Sequence, residues 1–297
     1  MTAEWRLDKH SDYWQGRFSA MASPCEVLVE TDKRDLAEEL LQIAANEALR
    51  IERKFSRYRN DNIVYQINNS HGDSVNVDSE TAHLLNFAQQ LYELSEGLFD
   101  ITSGVLREAW AFDGSDHIPD HNKIDELLDC VGWDKAEWNG NSLKLLENMQ
   151  IDFGGIGKEY AVDRTALLIK QNINIPCLIN FGGDLAITDA RLNNQPWQIG
   201  IESVDESNKY IEHVLQLRRG ALATSGDVRR FLLKDGVRYG HILNPKTGWP
   251  IQKAPRSVTV AAGTCTEAGM LSTLGMLQGE NCETFLTQED IQFWCFR

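Results

Sequence analysis

The chain has 297 residues, of which 42% are hydrophobic, so it is long enough to bury one large core or two lobes. Eight Trp, eleven Phe and seven Tyr are spread through the sequence and exclude an intrinsically disordered chain. The formal net charge of −15 leaves no basic stripe for a nucleic-acid partner and opposes adsorption to anionic membranes.

The cysteines and the N-terminal segment predict a cytoplasmic protein. None of the six cysteines belongs to a C-x-x-C pair or stands beside histidine at a zinc-ligand spacing, so reduced, mostly buried thiols are expected. Residues 1–18 contain charges throughout and lack the apolar stretch of a signal peptide. No window of 18 apolar residues occurs, so membrane insertion is not expected.

Hydrophobic periodicity predicts helices in the first half of the chain. Apolar residues spaced by three or four predict one over 36–57 and another over 79–96, with Asp78 or Ser79 as its N-cap. A third helix is predicted over about 158–171.

The second half of the sequence is predicted to be mainly strands, followed by a helix over about 264–278. Examples of the predicted strands are Cys177–Asn180, Gln198–Glu202, His213–Leu217 and Ser257–Ala261. This mixture favours an α+β fold, predicted as a single domain over residues 1–297, rather than a regular alternation of strands and helices. No G-x-G-x-x-G occurs, which excludes a Rossmann dinucleotide site.

A glycine-rich stretch at Ile151–Asp163 is the strongest indication of a ligand site. An apolar run ends at Asp152, three glycines follow within four residues, and Lys158 opens the third helical pattern. Exposed backbone N–H groups and the partial positive charge of a helix N-terminus favour phosphate at such a junction. Asp152 and the loop carbonyls could also hold a hard cation. It is not a Walker loop, because Glu159 stands where Ser or Thr is required.

Five further segments have the composition of site loops, although each also has a structural interpretation. Asn180–Asp184 could be a turn, Ala223–Asp227 a helix cap, and Ser95–Thr102 a helix stop. The histidine of His241–Gly248 could be a surface or packing residue. In Thr264–Thr273, the first residue and Glu267 have the spacing of a capping box.

Taken together and in order, these segments resemble the FAD:protein FMN transferase family, the ApbE-like proteins, over about residues 18–279. The resemblance is based on Met21-Ala-Ser-Pro24, Phe55-Ser-Arg-Tyr58 with Ile67-Asn68, Gly97-Leu-Phe-Asp100, Asp152-Phe-Gly-Gly155 with Lys158 and Asp163, Asn180–Asp184, Thr224-Ser-Gly226, His241–Gly248, and Thr264–Thr273 with Gly279.

The resemblance implies a two-lobed α+β fold related to the T-fold, with FAD in the cleft between the lobes. It implies that Mg²⁺ assists cleavage of the FAD diphosphate and that FMN moves to a Ser or Thr hydroxyl of an acceptor flavoprotein, with release of AMP. Two alternatives are an FAD diphosphate hydrolase giving FMN and AMP, and an FAD-binding relative with impaired or absent transfer.

The resemblance also implies roles for particular residues. His241 and Thr224 are expected to be catalytic, with His241 near the phosphates, where it either accepts the proton of the acceptor hydroxyl or polarises the diphosphate. Expected contacts with FAD are Met21, Tyr58, Ala111, Phe112, Asp113, Asp152, Lys158, Asn180, Gly182, Gly183, Asp184, Ser225, Gly226, His241 and Ile242. The carbonyl of Gly155 and the hydroxyl of Thr273 match metal-ligand positions.

The sequence departs from the family pattern at Gly269, where the family has the aspartate that binds the metal. Glu159, where glycine is common, is a milder departure. Glu267 would point away, since two residues turn a helix by about 200°; Asp184 or Asp152 could instead supply the charge. The chain could thus be an intact enzyme, an FAD-binding relative or a variant made to trap bound FAD. A Gly269→Asp substitution is expected to raise Mg²⁺-dependent turnover.

Overall fold

Seven α-helices and fifteen β-strands form the part of the chain that the computed structural model describes, residues 4–173, 175–204, 210–228 and 230–297. The helices are α1 (Arg34–Phe55), α2 (Ile63–Asn68), α3 (Ser79–Leu94), α4 (His121–Leu128), α5 (Gly157–Asn172), α6 (Cys265–Leu277) and α7 (Cys282–Gln288). The strands are β1 (Arg6–Lys9), β2 (Trp14–Ala20), β3 (Ser23–Val29), β4 (Val75–Asn76), β5 (Glu137–Trp138), β6 (Ser142–Lys144), β7 (Cys177–Phe181), β8 (Asp184–Ile187), β9 (Trp197–Glu202), β10 (Ile211–Leu217), β11 (Gly220–Gly226), β12 (Phe231–Lys234), β13 (Val237–Gly240), β14 (Ser257–Ala262) and β15 (Gln292–Phe296).

Eight of these strands form one antiparallel sheet in the order β1-β2-β3-β7-β8-β11-β14-β15. The other described strands pair in small sheets, β9 with β10, β12 with β13, and β4 and β5 on either side of β6. Antiparallel pairing with helices added to the sheet confirms the α+β prediction.

Three helices cover one face of the large sheet. α5 packs between α1 and α6, and α6 also packs against β11 and β14. The buried positions of α1 follow the predicted three-or-four spacing, whereas α6 is buried on nearly all sides. This arrangement brings the start of α5, which follows the glycine-rich stretch, beside α6.

Two smaller hydrophobic clusters lie outside this main core. Trp197 joins Leu178 and Leu222 in one cluster on the sheet face opposite the helices. In the other, Trp110 joins Leu106, Ile124, Leu127 and Leu232. This second cluster involves α4 and β12 together with the short 3-10 helix at 101–108. The division into two lobes with a cleft stays a prediction.

The predicted long helices and strands are confirmed, with ends that differ by one or two residues. The α3 N-cap is Asp78, whose carboxylate accepts a hydrogen bond from Thr81 N at 3.0 Å. The Thr264 hydroxyl caps α6 by accepting from Glu267 N at 3.2 Å. Among the described residues, no helix combines the length and apolarity that crossing a membrane requires.

Candidate active site

The glycine-rich loop is fixed from both sides before α5 begins. The side chain of Asn68 donates to Ile151 O at 3.0 Å and accepts from Ile151 N at 2.7 Å, so it holds the residue that precedes Asp152. Asp152 Oδ1 then accepts from Gly154 N at 2.9 Å. The opposite carboxylate oxygen lies 3.5 Å from Arg57 Nη1. Asn68 therefore has a positioning role that the sequence did not reveal.

Most backbone N–H groups of this loop donate to the protein itself, whereas the sequence predicts that they are exposed to bind phosphate. The N–H groups of Ile156 and Gly157 both donate to Phe153 O, at 3.0 and 2.7 Å. Gly154 N is bound to Asp152. Because three of the loop N–H groups already have protein acceptors, the expected phosphate cradle of backbone amides is incomplete in this conformation. Positive charge comes instead from arginine side chains nearby.

A cavity of about 380 Å³ contains these arginines and several of the expected flavin-binding residues. It is lined by Arg57, Tyr58, Arg107, Glu108, Trp110, Phe112, Arg230 and His241. Three guanidinium groups beside aromatic rings provide both anion-binding and ring-stacking groups. The structure thus brings Tyr58, Phe112 and His241 together, as expected. It adds Arg107 and Arg230, and it gives a place in the site to Arg57, which the sequence indicated only as a member of the Phe55–Tyr58 motif.

The aromatic wall of this cavity is anchored by Trp110. Its indole Nε1 donates to Gly248 O at 2.8 Å, which connects it to the loop that begins at His241. The ring of Phe112 stacks on Trp110 with centroids 5.5 Å apart and lies 6.3 Å from the His241 ring. Tyr58 is 81% exposed, so it is free to contact a ligand at the cavity mouth.

His241 is kept neutral by its surroundings. Burial lowers the pKa of its imidazole to about 4, and the positive charges of Arg230 and Arg107 act in the same direction. Its Nδ1 is buried and has no hydrogen-bond partner among the described residues. A neutral imidazole with an unused nitrogen in a cationic cavity is able to accept a proton.

A second group of expected residues lies at the junction of α5, β8 and β11. Lys158 Nζ is 2.7 Å from Asp184 Oδ2, and Asp184 Oδ1 accepts from Thr224 N at 3.1 Å. Burial opposes the charge on Lys158, but Asp184 and Glu159 outweigh it and raise the lysine pKa. The pair links the start of the helix to two neighbouring strands.

The turn between β7 and β8 approaches this lysine closely. Gly182 has φ +66°, and a Cβ there would lie 2.8 Å from Ser23 Cβ and 3.6 Å from Lys158 Nζ. Asn180 Oδ1 closes the turn by accepting from Gly183 N at 2.8 Å. The backbone conformation and the packing both require glycine at 182. Asn180–Asp184 is therefore a tight turn, as its glycines indicate, and it also lies beside a predicted site residue, Lys158.

Hydroxyl groups on β11 and α6 form a cluster at the end of β11. Ser225 Oγ lies 2.9 Å from both Ser272 Oγ and Thr273 Oγ1. The Thr224 hydroxyl instead contacts Thr259 Oγ1 at 2.8 Å, because neighbouring residues of a strand point to opposite faces. Ser225 rather than Thr224 therefore reaches the predicted metal ligand Thr273. The helix-cap alternative for this segment is wrong, since the segment is a strand.

The remaining expected residues lie at the edges of these two groups. Met21 is half-buried in the tight turn between β2 and β3, with φ 52°. Ala111 is exposed, and the exposed Asp113 accepts from Ser115 N at 3.0 Å. Ile242 is half-buried, and its carbonyl accepts from Ile251 N at 3.1 Å. None of these four residues lines the 380 Å³ cavity.

Glu159 lies against Gly269, and this contact was not foreseen from the sequence. A Cβ at position 269 would lie 2.5 Å from Glu159 Cγ and 3.2 Å from Glu159 Oε1. An aspartate side chain there would overlap Glu159. The expectation that Gly269→Asp alone raises turnover therefore conflicts with this geometry.

The other carboxylates considered as substitutes are engaged elsewhere. Asp184 pairs with Lys158, and Asp152 is held by its loop and Arg57. Glu267 is exposed and accepts from Gly263 N at 3.1 Å, so it points away as expected.

Comparison with known proteins assigns this architecture to one family. The sequence profile of the ApbE family matches residues 21–294. A FAD:protein FMN transferase of Vibrio cholerae is 31% identical over 233 residues, which are 76% of this chain and 70% of that protein. Another, of Haemophilus influenzae, is 30% identical over 240 residues, 77% of this chain and 69% of that protein.

Solved structures agree with this assignment. The crystal structure of the ApbE protein of Thermotoga maritima matches with a TM-score of 0.84 and 31% identity, over 95% of this chain and 94% of that chain. The flavin transferase ApbE of Vibrio cholerae matches with a TM-score of 0.79 and 26% identity, over 99% and 93% of the two chains.

Proposed function

Since the chain belongs to the ApbE family, we propose that it is a FAD:protein FMN transferase. It moves the FMN half of FAD onto a Ser or Thr hydroxyl of an acceptor flavoprotein and releases AMP. The observation that carries this proposal is the cavity in which a neutral, half-buried His241 lies among three arginines and aromatic rings. The cytoplasmic location stays a prediction.

The cavity supports binding of FAD. Arg57, Arg107 and Arg230 supply guanidinium groups suited to diphosphate oxygens. The rings of Tyr58 and Phe112 offer faces for an isoalloxazine or adenine ring. Cations and rings within one space match a ligand that joins a diphosphate to two heteroaromatic groups.

His241 supports the transfer step as the proton acceptor. The acceptor hydroxyl oxygen forms a bond to the phosphorus of the FMN half while the bond from that phosphorus to the bridging oxygen breaks. The hydroxyl proton goes to the neutral imidazole, and AMP leaves with the bridging oxygen. An imidazole that was already protonated could not accept this proton, and the lowered pKa of His241 keeps its imidazole in the neutral form near neutral pH.

Oxygen atoms of α6 and of the loop before α5 suit a magnesium ion. The hydroxyl of Thr273 and the carbonyl of Gly155 are hard donors. A carboxyl oxygen of Glu159, in the first turn of α5, is buried and has no partner among the described residues. When bound, Mg²⁺ neutralises charge at the reacting phosphorus and on the departing phosphate.

The test is incubation with FAD, Mg²⁺ and candidate acceptor flavoproteins, followed by mass spectrometry of the acceptor. Transfer adds one FMN to a Ser or Thr. Free FMN and AMP without an adduct would replace the proposal with the hydrolase alternative. Bound FAD with no product from any acceptor would favour the FAD-binding alternative.

The role of His241 is tested with His241→Ala, for which the exposed His83→Ala is a matched control. We expect His241→Ala to lower the rate of FMN transfer at least 100-fold while the Kd for FAD changes less than tenfold. His83→Ala should leave both unchanged. Equal losses of transfer and affinity in His241→Ala would make His241 a binding residue only.

A further inference from the structure

Glu159 occupies the space that a side chain at position 269 would otherwise fill. Glu159 lies in the first turn of α5, and Gly269 lies in the middle of α6. An ideal Cβ on Gly269 would meet Glu159 Cγ at 2.5 Å, Cδ at 3.1 Å and Oε1 at 3.2 Å. The glutamate carboxyl is therefore within about one aspartate side-chain length of the α6 backbone.

The same face of α6 presents the hydroxyl cluster. Gly269 and Thr273 are one helical turn apart, and Ser272 Oγ donates to Gly269 O at 3.0 Å. Ser225 Oγ contacts Thr273 Oγ1 at 2.9 Å. A carboxylate reaching Gly269 from α5 thus adds a charged oxygen donor to a surface that otherwise provides neutral ones.

The Glu159 carboxylate is only partly satisfied in its buried position, where its own backbone N–H is the hydrogen-bond donor that acts on it. Its side chain is only 8% exposed, and Oε2 has no hydrogen-bond partner among the described residues. The charges that act on it are Asp184 and Asp163, which repel it, and Lys158, which is already paired with Asp184. Burial and Asp184 raise the pKa of Glu159 to about 8. A buried carboxyl in this state needs either a proton or a cation.

We propose that Glu159 is the carboxylate ligand of the divalent cation in this chain, reaching across from α5 to the place that Gly269 leaves empty on α6. The proposal deepens the transferase function and rests on it for the identity of the cation. It also explains Gly269, which costs about 1 kcal/mol relative to Ala in a helix interior and has no local reason to be there. The missing side chain makes room for the longer one opposite.

The test measures Mn²⁺ binding in four proteins and one control variant, without any measurement of turnover. These are the unaltered chain, Glu159→Gln, Gly269→Asp and the double exchange Glu159→Gly with Gly269→Asp. Free Mn²⁺ is followed by its electron paramagnetic resonance signal in the presence of saturating FAD, with FAD alone as a blank. The matched control is Glu267→Gln, which removes an exposed carboxylate from α6, the helix that contains Gly269.

We expect Glu159→Gln to weaken Mn²⁺ binding at least tenfold and to reduce the rise in Tm that Mn²⁺ gives the unaltered chain. Gly269→Asp alone should lower Tm, because its side chain overlaps Glu159, and should not tighten Mn²⁺ binding. The double exchange should return the Mn²⁺ affinity to within about fivefold of the starting value. Glu267→Gln should leave it unchanged.

Three results would overturn the proposal. They are no Mn²⁺ binding by the unaltered chain, unchanged binding by Glu159→Gln, or tighter binding by Gly269→Asp while Glu159 is present. Thermal unfolding and FAD affinity show whether each variant is folded. Gln has nearly the same shape as Glu, so Glu159→Gln removes the charge without removing the packing of the side chain. Failure to flavinylate any acceptor would remove the transferase function but leave the Mn²⁺ pattern standing, so the two failures are distinguishable.

Discussion

His241 illustrates how the position of a single residue changes its chemistry. As a lone histidine in a turn it would more often be a surface or packing residue. In the structure, burial and the arginines around it lower its pKa to about 4. The same cations that suit a diphosphate also keep the imidazole unprotonated, so ligand binding and base function depend on the same charges.

The lowered pKa predicts a specific pH dependence of stability. The imidazole of His241 has a pKa of about 4 in the folded chain and 6.5 in the unfolded chain. Between these pH values only the unfolded chain binds the proton, so the free energy of unfolding decreases as the pH falls from about 6.5 to 4. Relative to His241→Gln, the unaltered chain should therefore lose about 2–3 kcal/mol more of its free energy of unfolding over that window. Urea unfolding at pH 7 and pH 4.5 measures the difference.

The exposed His83 provides the control for this measurement. His83→Gln should follow the unaltered chain at both pH values, because its imidazole is solvated. Parallel curves for the unaltered chain and His241→Gln would contradict a lowered pKa for His241.

Glu159 shows what a sequence does not reveal at this scale. Glu159 and Gly269 each depart from the family pattern, but nothing in the sequence connects the two departures. Only the packing of α5 on α6 shows that the two positions touch. Similarly, Arg57, Arg107 and Arg230 are far apart in the chain, and no spacing rule connects them to one cavity.

At the level of elements, α6 is held at its N-terminus by two different residues. The Thr264 hydroxyl caps it from within the chain segment. Asp163, on α5, accepts from Cys265 N and Thr266 N, both at 2.8 Å, and from Thr266 Oγ1 at 2.6 Å. A carboxylate at a helix N-terminus also interacts favourably with the helix dipole. Asp163 therefore joins the two helices that carry Glu159 and Gly269.

Replacing this carboxylate should destabilise the fold measurably. Asp163→Ala leaves two backbone N–H groups of α6 without their acceptor, so we expect a loss of about 1–3 kcal/mol in the free energy of unfolding. Urea denaturation at pH 7 measures it. The exposed Asp116→Ala serves as the control and should change stability by less than about 0.5 kcal/mol. A similarly small effect for Asp163→Ala would mean that the Thr264 cap is sufficient.

The elements themselves were predictable to different degrees. The helices α1 and α3 and the strands β7 and β14 have clear periodic patterns, because each buries one face or both against the main core. The Thr224–Gly226 segment was ambiguous, since hydroxyls before a glycine are typical of a helix cap. Its place between β8 and β14 depends on pairing with distant residues, which local propensity does not specify.

At the scale of the whole molecule, one antiparallel sheet supports both groups of site residues. Strands β7, β8 and β11 are neighbours, so the turn after β7 and the end of β11 approach the start of α5 together. The chain has a net charge of −15, yet three arginines line its cavity. In an acidic molecule, a local group of cations favours binding of an anionic ligand at that site.

Excess negative charge should also make the stability of the fold sensitive to salt. Repulsion among carboxylates disfavours the compact state, and ions screen it over about 10 Å at 0.1 M. We expect the Tm at pH 7.5 to rise by several degrees between 0.01 and 0.3 M NaCl, measured by differential scanning calorimetry. At pH 5, close to the pI of 4.9, the same salt step should have little effect. A Tm that falls with salt at pH 7.5 would show that attractive ion pairs dominate.

The contact between Glu159 and Gly269 has a consequence for how such chains diverge. A lineage that gains aspartate at 269 first must pass through an overcrowded helix interface, and one that loses the glutamate first must pass through a site without its carboxylate. Either intermediate is at a disadvantage, so the two positions should change as a pair. Among natural relatives, glutamate with glycine and glycine with aspartate should therefore form two separate branches, with few mixed sequences between them.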